Sequence, residues 1–369
     1  MTTKPVGLYV HIPYCVRKCG YCDFCSRASA SGIPDGYIAS LLSEAELYKE
    51  KRLSLDTVYI GGGTPSLMTP KQLSTLVLGL RECFDILPSA EFTVECNPGT
   101  ARFDFFRECR RLGINRISFG LQSVHDSELR LLERIHTYAD FLAAYGEARD
   151  AGIENISVDL MYGIPEQTEE SFSETLASAV ALGVEHISAY GLIIEEGTRF
   201  FNERDSLSLP DEDAECDMYY LADRYLTENG FSHYEVSNYA REGRESRHNL
   251  KYWHLEEYIG LGASAHSFFG GKRYYNALDV DGYVSRARGV LGICEESDPK
   301  SEYIMLKLRL KEGLSLSEYE GMFGVDLLSE KSEAVERFVS LGLVELCQGQ
   351  LFLTAEGFYL SNLIIGELI

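Results

Sequence analysis

The sequence has no uninterrupted apolar run of the roughly 18 residues that a membrane-spanning helix needs. It is also short of positive charge. Against 57 Asp and Glu stand only 34 Lys and Arg, a formal net charge of −23. Such a balance opposes non-specific attraction to a phosphate backbone, so no nucleic-acid partner is expected. There is one tryptophan, Trp253, in 369 residues. No tandem repeat or low-complexity stretch is present, and no Gly-Lys-Ser/Thr follows a glycine cluster, which removes a P-loop. Met1 to Lys4 is too short to act as a targeting segment. Cys83, Cys96, Cys109, Cys216, Cys294 and Cys347 are scattered without a pairing pattern. A reducing cytoplasm is therefore the expected compartment, with all six as small buried hydrophobes.

What the chain does have is a concentration of thiols near its start. Cys15, Cys19, Cys22 and Cys25 fall within eleven residues, and the first three are spaced C-x3-C-x2-C. Three thiolates on one short loop can hold three irons of a 4Fe–4S cube and leave the fourth open to a small chelator. A structural zinc site needs four closed ligands, often as two C-x2-C pairs, and Cys22 and Cys25 form one such pair without a second. A thioredoxin-like C-x-x-C is the other alternative. Neither explains the gap between Cys15 and Cys19. Cys25 is left as a spare or as a neighbour that tunes the cluster.

Short apolar runs alternate with helical periodicity along most of the chain. Strands are expected at Val6–Ile12, Thr57–Ile60, Glu91–Glu95, Arg116–Gly120, Asn155–Asp159 and His186–Ile194. Helices are expected over 36–51, 70–84, 102–112, 126–134, 138–150, 168–182 and 211–229. This α/β alternation implies parallel strands with helices outside. A TIM-type barrel, complete or partial, is favoured over an open doubly wound sheet, because polar candidates fall at the ends of many different strands. From about residue 298 the character changes to three helices, a hairpin around Gln348-Gly349-Gln350 and a last helix. That order resembles a small winged-helix module. Its moderate basic character suits packing or partner binding better than DNA. The division expected is residues 1–297 and 298–369.

The strand ends carry the chemistry. Gly61-Gly62-Gly63-Thr64-Pro65 follows a strand and is either a tight turn or a place where backbone approaches a ligand. Glu95 and Asp159 end later strands, Gln122 follows Ser118-Phe-Gly-Leu, and Arg134 closes the next helical segment. Singly, each reads as a cap or a surface charge; their common placement is the argument. Arg247-His248-Asn249-Leu-Lys-Tyr252-Trp253 would suit a flat, partly apolar ligand such as a porphyrin, although composition alone favours a buried aromatic knot. His266, in Gly260-Leu-Gly-Ala-Ser264-Ala-His266, and His11 are further candidate haem ligands. The glycines of that segment fall short of a nucleotide fingerprint.

Together these motifs resemble the oxygen-independent coproporphyrinogen III oxidase family of radical S-adenosylmethionine (SAM) proteins. The residues that carry the likeness are His11-Ile-Pro-Tyr-Cys15 with Cys19 and Cys22-Asp-Phe, Gly61-Gly-Gly-Thr-Pro-Ser, Glu95-Cys-Asn-Pro-Gly, Arg116-Ile-Ser-Phe-Gly-Leu-Gln122-Ser and Asp159-Leu-Met-Tyr-Gly-Ile-Pro. Cys22-Asp-Phe and His248-Asn-x-x-Tyr-Trp253 suggest its HemW-type haem-chaperone branch. The resemblance implies a radical-SAM barrel with a small C-terminal domain and a 4Fe–4S cluster on Cys15, Cys19 and Cys22. It implies SAM contacts from Tyr9, Tyr21, Gly62, Gly63, Thr64, Glu95, Gln122, Arg134 and Asp159, with room for a second SAM, and a haem contact at His248. The oxidases carry a further cysteine two residues after the third ligand, where this chain has Phe24, and a long extension before the cluster. Both departures favour haem binding and transfer to acceptor haem proteins of the respiratory chain over decarboxylation of coproporphyrinogen III to protoporphyrinogen IX. The resemblance names no electron donor, and it keeps open a homodimer and a transient contact with a membrane surface.

Overall fold

A computed structural model describes residues 4–285, 293–295 and 298–369. The β/α alternation builds six parallel neighbours: β1 Val6–Ile12, β2 Ser54–Gly62, β3 Asp85–Cys96, β4 Arg116–Gln122, β5 Asn155–Tyr162 and β6 His186–Gly191. Antiparallel strands β7 Ser232–Glu235 and β8 Asn238–Ala240 finish the β6 side. On the other side β9 Tyr258–Leu261 pairs parallel with β1. Antiparallel β10 His266–Phe269, β11 Lys272–Tyr275 and β12 Ile293–Glu295 follow it outward. The order is β12-β11-β10-β9-β1-β2-β3-β4-β5-β6-β8-β7. The described sheet has two ends, so the barrel is partial.

Period-two alternation sorts the two faces of the sheet. Leu8, Val10, Val58, Ile60, Phe92, Val94, Ile117 and Phe119 are buried in one core with helix residues such as Leu41, Leu76, Phe106, Phe141 and Phe172. The intervening positions are polar: Thr57, Glu91, Thr93, Ser118, Ser157, Asp159, His186 and Ser188. Helices Pro70–Cys83, Tyr138–Asp150 and Glu169–Ala181 each start at a threonine that caps the third backbone N–H reciprocally. Strand β4 is clamped to the helical layer by Phe119, whose ring lies 5.9 Å from Phe106 and 5.7 Å from Phe141.

The C-terminal region has its own core, built on Leu308, Leu314, Tyr319, Phe338, Leu351, Leu353 and Ile364 among others. Helices Pro299–Lys307, Leu316–Phe323 and Leu327–Ser340 precede strands Val344–Cys347 and Gln350–Leu353. Leu314–Ser315 adds a third short strand to that hairpin. The turn forms as its sequence dictates: Gln348 and Gly349 both have positive φ, 52° and 78°, as a two-residue hairpin turn requires. The expected domain limit at residue 297 itself lies outside the described residues.

Two differences from the expectations are instructive. Strands β7 to β12 and helix Arg247–Trp253 were not foreseen. They are three to seven residues long and mix aromatics with charges, too short to display a period. In keeping with its incomplete glycine pattern, the segment from Gly260 is the end of β9 and its return into β10. Among the scattered cysteines, Cys83, Cys96 and Cys109 are buried as expected, whereas Cys216 is half-buried and Cys294 and Cys347 are exposed, because their strands and helix lie at the periphery. Among the described residues no helix is long and apolar enough to cross a membrane.

The aromatic clamp yields a prediction. Phe119→Ala leaves a cavity between sheet and helices and should cost about 3–5 kcal/mol in urea unfolding with an unchanged m-value. A loss below about 1 kcal/mol would show that the clamp does not hold the sheet to its helices.

Candidate functional site

The cysteine loop leaves the C-terminal end of β1. Its two stems pair in parallel, Tyr14 with Arg27 and Cys15 with Ala28. Backbone bonds from Arg27 N–H to Pro13 O (2.9 Å) and from Ser29 N–H to Cys15 O (2.7 Å) close it. A turn bond from Cys22 N–H to Cys19 O (3.2 Å) folds the loop inward, and Phe200 N–H to Gly20 O (3.0 Å) ties its tip to helix Arg199–Glu203. His11 is the inner fastening. Its Nδ1 meets Tyr9 OH at 2.9 Å, and its Nε2 meets the Cys25 carbonyl at 2.8 Å. A carbonyl accepts only, so Nε2 carries the proton and Nδ1 accepts from the tyrosine. Burial lowers the His11 pKa and keeps it neutral in this role.

The glycine run is explained by what surrounds it. Gly62 has φ +114°, and a Cβ there would sit 2.6 Å from the His11 ring. A Cβ on Gly63 would meet the Tyr14 backbone at 2.8 Å. Gly62 N–H donates to Glu95 Oε2 and Tyr59 OH to Glu95 Oε1, both at 2.9 Å. Thus two donors of β2 converge on one carboxylate of β3.

The other strand ends complete a polar bowl. Asp159 Oδ1 accepts from Ser188 (2.8 Å) and Ser118 (3.4 Å), joining β4, β5 and β6. Gln122 sits at a bulge with φ 71° and accepts from Tyr190 OH at 2.9 Å. Arg134 donates to Gly120 O at 2.8 Å and to Cys19 Sγ at 3.6 Å, so it links the bowl to the thiol loop. Tyr21 packs against Phe200, 6.3 Å between centroids. Burial raises the Asp159 pKa against the pull of Ser188 and Arg116. For Arg134 burial works against the charge, but Tyr21 and Cys19 more than hold it, so its pKa is raised.

Cys15, Cys19 and Cys22 fit a multi-iron group. They influence one another's ionisation, so the three thiols share one small region. Burial raises the Cys15 pKa, opposed by the hydroxyls of Thr64 and Ser26, and it raises that of Cys22, opposed by the Phe24 backbone. Metal binding there would release protons. Among the described residues no three His, Cys, Asp or Glu close around a single ion. A cube, which takes one thiolate at each of separate corners, suits this donor set better than a zinc ion ringed by four ligands.

His248 is placed differently from the rest. It opens helix Arg247–Trp253, whose first N–H groups donate to Glu91 at 3.0–3.1 Å. The imidazole is fully buried, with Nδ1 2.9 Å from Thr57 Oγ1 and Nε2 2.7 Å from Tyr252 OH. It stacks on Tyr59 at 5.4 Å. Burial, with Lys251 and Arg116 nearby, pushes its pKa down to about 3. Both ring nitrogens are engaged in hydrogen bonds within the chain. Of the two readings of this segment, the buried aromatic knot describes its geometry. Tyr59, Arg116, Ser118, Ser188 and Tyr190 were missed in the sequence. Their signal was polar residues at every second position of otherwise apolar strands.

Glu95 supplies the test of this electrostatic arrangement. Burial, then the Asp159 charge, raises its pKa from 4.5 to about 7. Ionised Glu95 is therefore less favourable in the folded than in the unfolded chain. Its contribution is fully present below pH 4.5 and fades as the pH rises through about 7. Glu95→Gln keeps an acceptor for Gly62 N–H. Between about pH 5 and 8 the variant should gain on the parent by about 2 kcal/mol in unfolding free energy. Parallel pH–stability curves would contradict the raised carboxyl.

With this geometry in view, the chain can be set beside known proteins. The Radical SAM superfamily profile matches residues 9–179, and the HemN C-terminal domain profile matches residues 297–360. The chain is 36% identical to the heme chaperone HemW of Lactococcus lactis, over 98% of this chain and 97% of that protein. It is 37% identical to the heme chaperone HemW of Escherichia coli K12, over 87% of each. The solved coproporphyrinogen III oxidase HemN of E. coli, a radical SAM enzyme, superposes with a TM-score of 0.83 over 99% of this chain and 90% of that one. At 24% identity that likeness shows the fold alone. An identity above a third, sustained almost end to end, makes the chain a member of the HemW-type family of radical-SAM, HemN-like proteins.

Proposed function

We propose that this protein is a haem chaperone that binds haem and releases it to acceptor haem proteins, those of the respiratory chain in particular. The observation that carries this reading is the nearly end-to-end correspondence with heme chaperones, on both sides of each alignment. We further propose that Cys15, Cys19 and Cys22 hold a 4Fe–4S cluster whose open iron takes SAM. When bound, such a cluster supplies an electron and one coordination position to a small chelating ligand.

The chain's own residues then have definite tasks. Arg134, bonded to Cys19 Sγ, offsets thiolate charge. The carbonyls of the Gly62-Gly63-Thr64 turn are the acceptors available to an ammonium group. Glu95, near neutrality in its ionisation, and Gln122 offer hydrogen bonds to ribose hydroxyls. Asp159 adds negative charge for a sulfonium, with Tyr9 and Tyr21 as flanking aromatics. Residues 1–297 would hold these sites and 298–369 would pack or meet partners, in the cytoplasm. The absence of a thiol at Phe24, where the oxidases carry a further cysteine, supports the chaperone reading over oxidation of coproporphyrinogen III.

The experiment uses anaerobically reconstituted full-length protein. Iron and sulfide are expected at about four each per chain, with the cluster lost in Cys19→Ser. Haem titration should show saturable binding, and haem should pass to an apo acceptor. Reductant, SAM and coproporphyrinogen III should give no decarboxylated porphyrin. Protoporphyrinogen IX formation would instead assign an oxidase, and bound zinc without sulfide would defeat the cluster.

A further inference from the structure

The stretch of loop that joins the three proposed iron ligands turns an outer face to solvent. Val16 follows Cys15, Lys18 precedes Cys19, and Asp23 and Phe24 follow Cys22; all four are exposed, as is Arg17. Resting on the cluster reading, we infer that this face is the docking surface of the electron donor, a small acidic protein that gives up one electron at a time.

Charge complementarity points to an acidic partner. The chain as a whole is strongly negative, at −23, yet residues 16–24 hold two cations, Arg17 and Lys18, against one anion, Asp23. Among the described residues neither cation is cancelled by an ion pair. Arg17 donates to the carbonyls of Glu133 (2.6 Å) and Arg134 (3.5 Å), and Lys18 to that of Phe24 (3.1 Å). Carbonyl acceptors hold these side chains in place and leave their charge whole. The neighbouring cations differ. Arg27 is paired with Asp281 at 2.7 Å, and Arg199 with Glu133 at 3.2 Å. Against burial, which raises both thiols, the Lys18 charge acts on Cys22 and Cys25, so it lies close to the proposed metal site.

Apolar contact area stands beside the charge. Phe24 is 63% exposed and Val16 44%, so a partner surface has side chains to cover as well as charges to meet. Small contacts of this kind suit the transient encounters of electron-transfer proteins. Position selects an electron carrier among acidic partners. Val16, Lys18 and Asp23 are each the chain neighbour of a proposed ligand, so a carrier seated here has a short route to the metal. The step passes one electron: the carrier is oxidised by one, the cluster is reduced by one, and no bond forms or breaks.

The test is stopped-flow electron exchange with the anaerobically reconstituted full-length protein. The probe is an acidic flavodoxin reduced to its hydroquinone, whose semiquinone product absorbs away from the cluster. Reduced methyl viologen, a small cation that needs no docking face, is the reference reductant. Exchange of the parent with flavodoxin should slow as salt is added. Arg17→Glu and Lys18→Glu should each slow it several-fold at low ionic strength, and together about tenfold or more, converging on the parent at high salt. Lys18→Arg should keep the parent rate, and Phe24→Ala should lose less than the charge reversals. Iron content, circular dichroism and the rate with methyl viologen should not fall in any variant. Charge-reversed protein that exchanges with flavodoxin as fast as the parent would overturn the surface. Equal slowing with both reductants would place the effect on the cluster and overturn it too, as would a parent that exchanges with methyl viologen alone. A parent that assembles no cluster would defeat the cluster reading instead.

Discussion

A neutral histidine bonded at both nitrogens holds the functional end of this protein together. His11 accepts from Tyr9 on its own strand and donates to the carbonyl of Cys25 across the loop. The loop between them contains all three proposed iron ligands, so its span is fixed at a largely buried point. The constraint spreads from there. Gly62 must lack a side chain because His11 occupies that space, and the freed Gly62 N–H reaches Glu95. The His11 carbonyl accepts from Tyr37, which in turn receives Ala263 N–H. One residue, through its ring and its carbonyl, thereby ties together the cysteine loop, the glycine turn and the β9–β10 return.

The electrostatics follow from the same crowding. Glu95 feels the charge of Asp159, and both feel that of buried Arg116, with Arg134 also acting on Asp159. Two carboxyl groups and two guanidinium groups in one bowl give a site that is polar without a large net charge. That is suited to a zwitterionic ligand carrying an additional positive centre. The strongly acidic surface implied by a net charge of −23 is a separate matter of solubility and partner choice.

Much of this was legible before any coordinates. The six parallel strands announced themselves as aliphatic runs, and Val6–Ile12 and helix Tyr138–Asp150 fall where the periodicity put them. The C-x3-C-x2-C spacing and the polar strand ends pointed to one rim of the sheet. The far side of the sheet was not legible, because strands of three or four residues with mixed aromatics and charges carry no period. His248 shows the limit most clearly. Its neighbours in sequence suggest a ligand pocket, yet Thr57 and Glu91, far away in the chain, draw the helix into the barrel and consume its hydrogen bonds. Tertiary partners, which local composition does not reveal, set the hydrogen bonding of this imidazole.

The central claim is that three thiols on a loop anchored by His11 leave one iron of a cube open to SAM. The direct measurement is EPR of the reduced, reconstituted protein with and without SAM. The account predicts a cluster signal that shifts on adding SAM and survives Cys25→Ser. A signal indifferent to SAM, together with loss of the cluster in Cys25→Ser, would mean that the fourth thiolate closes the cube.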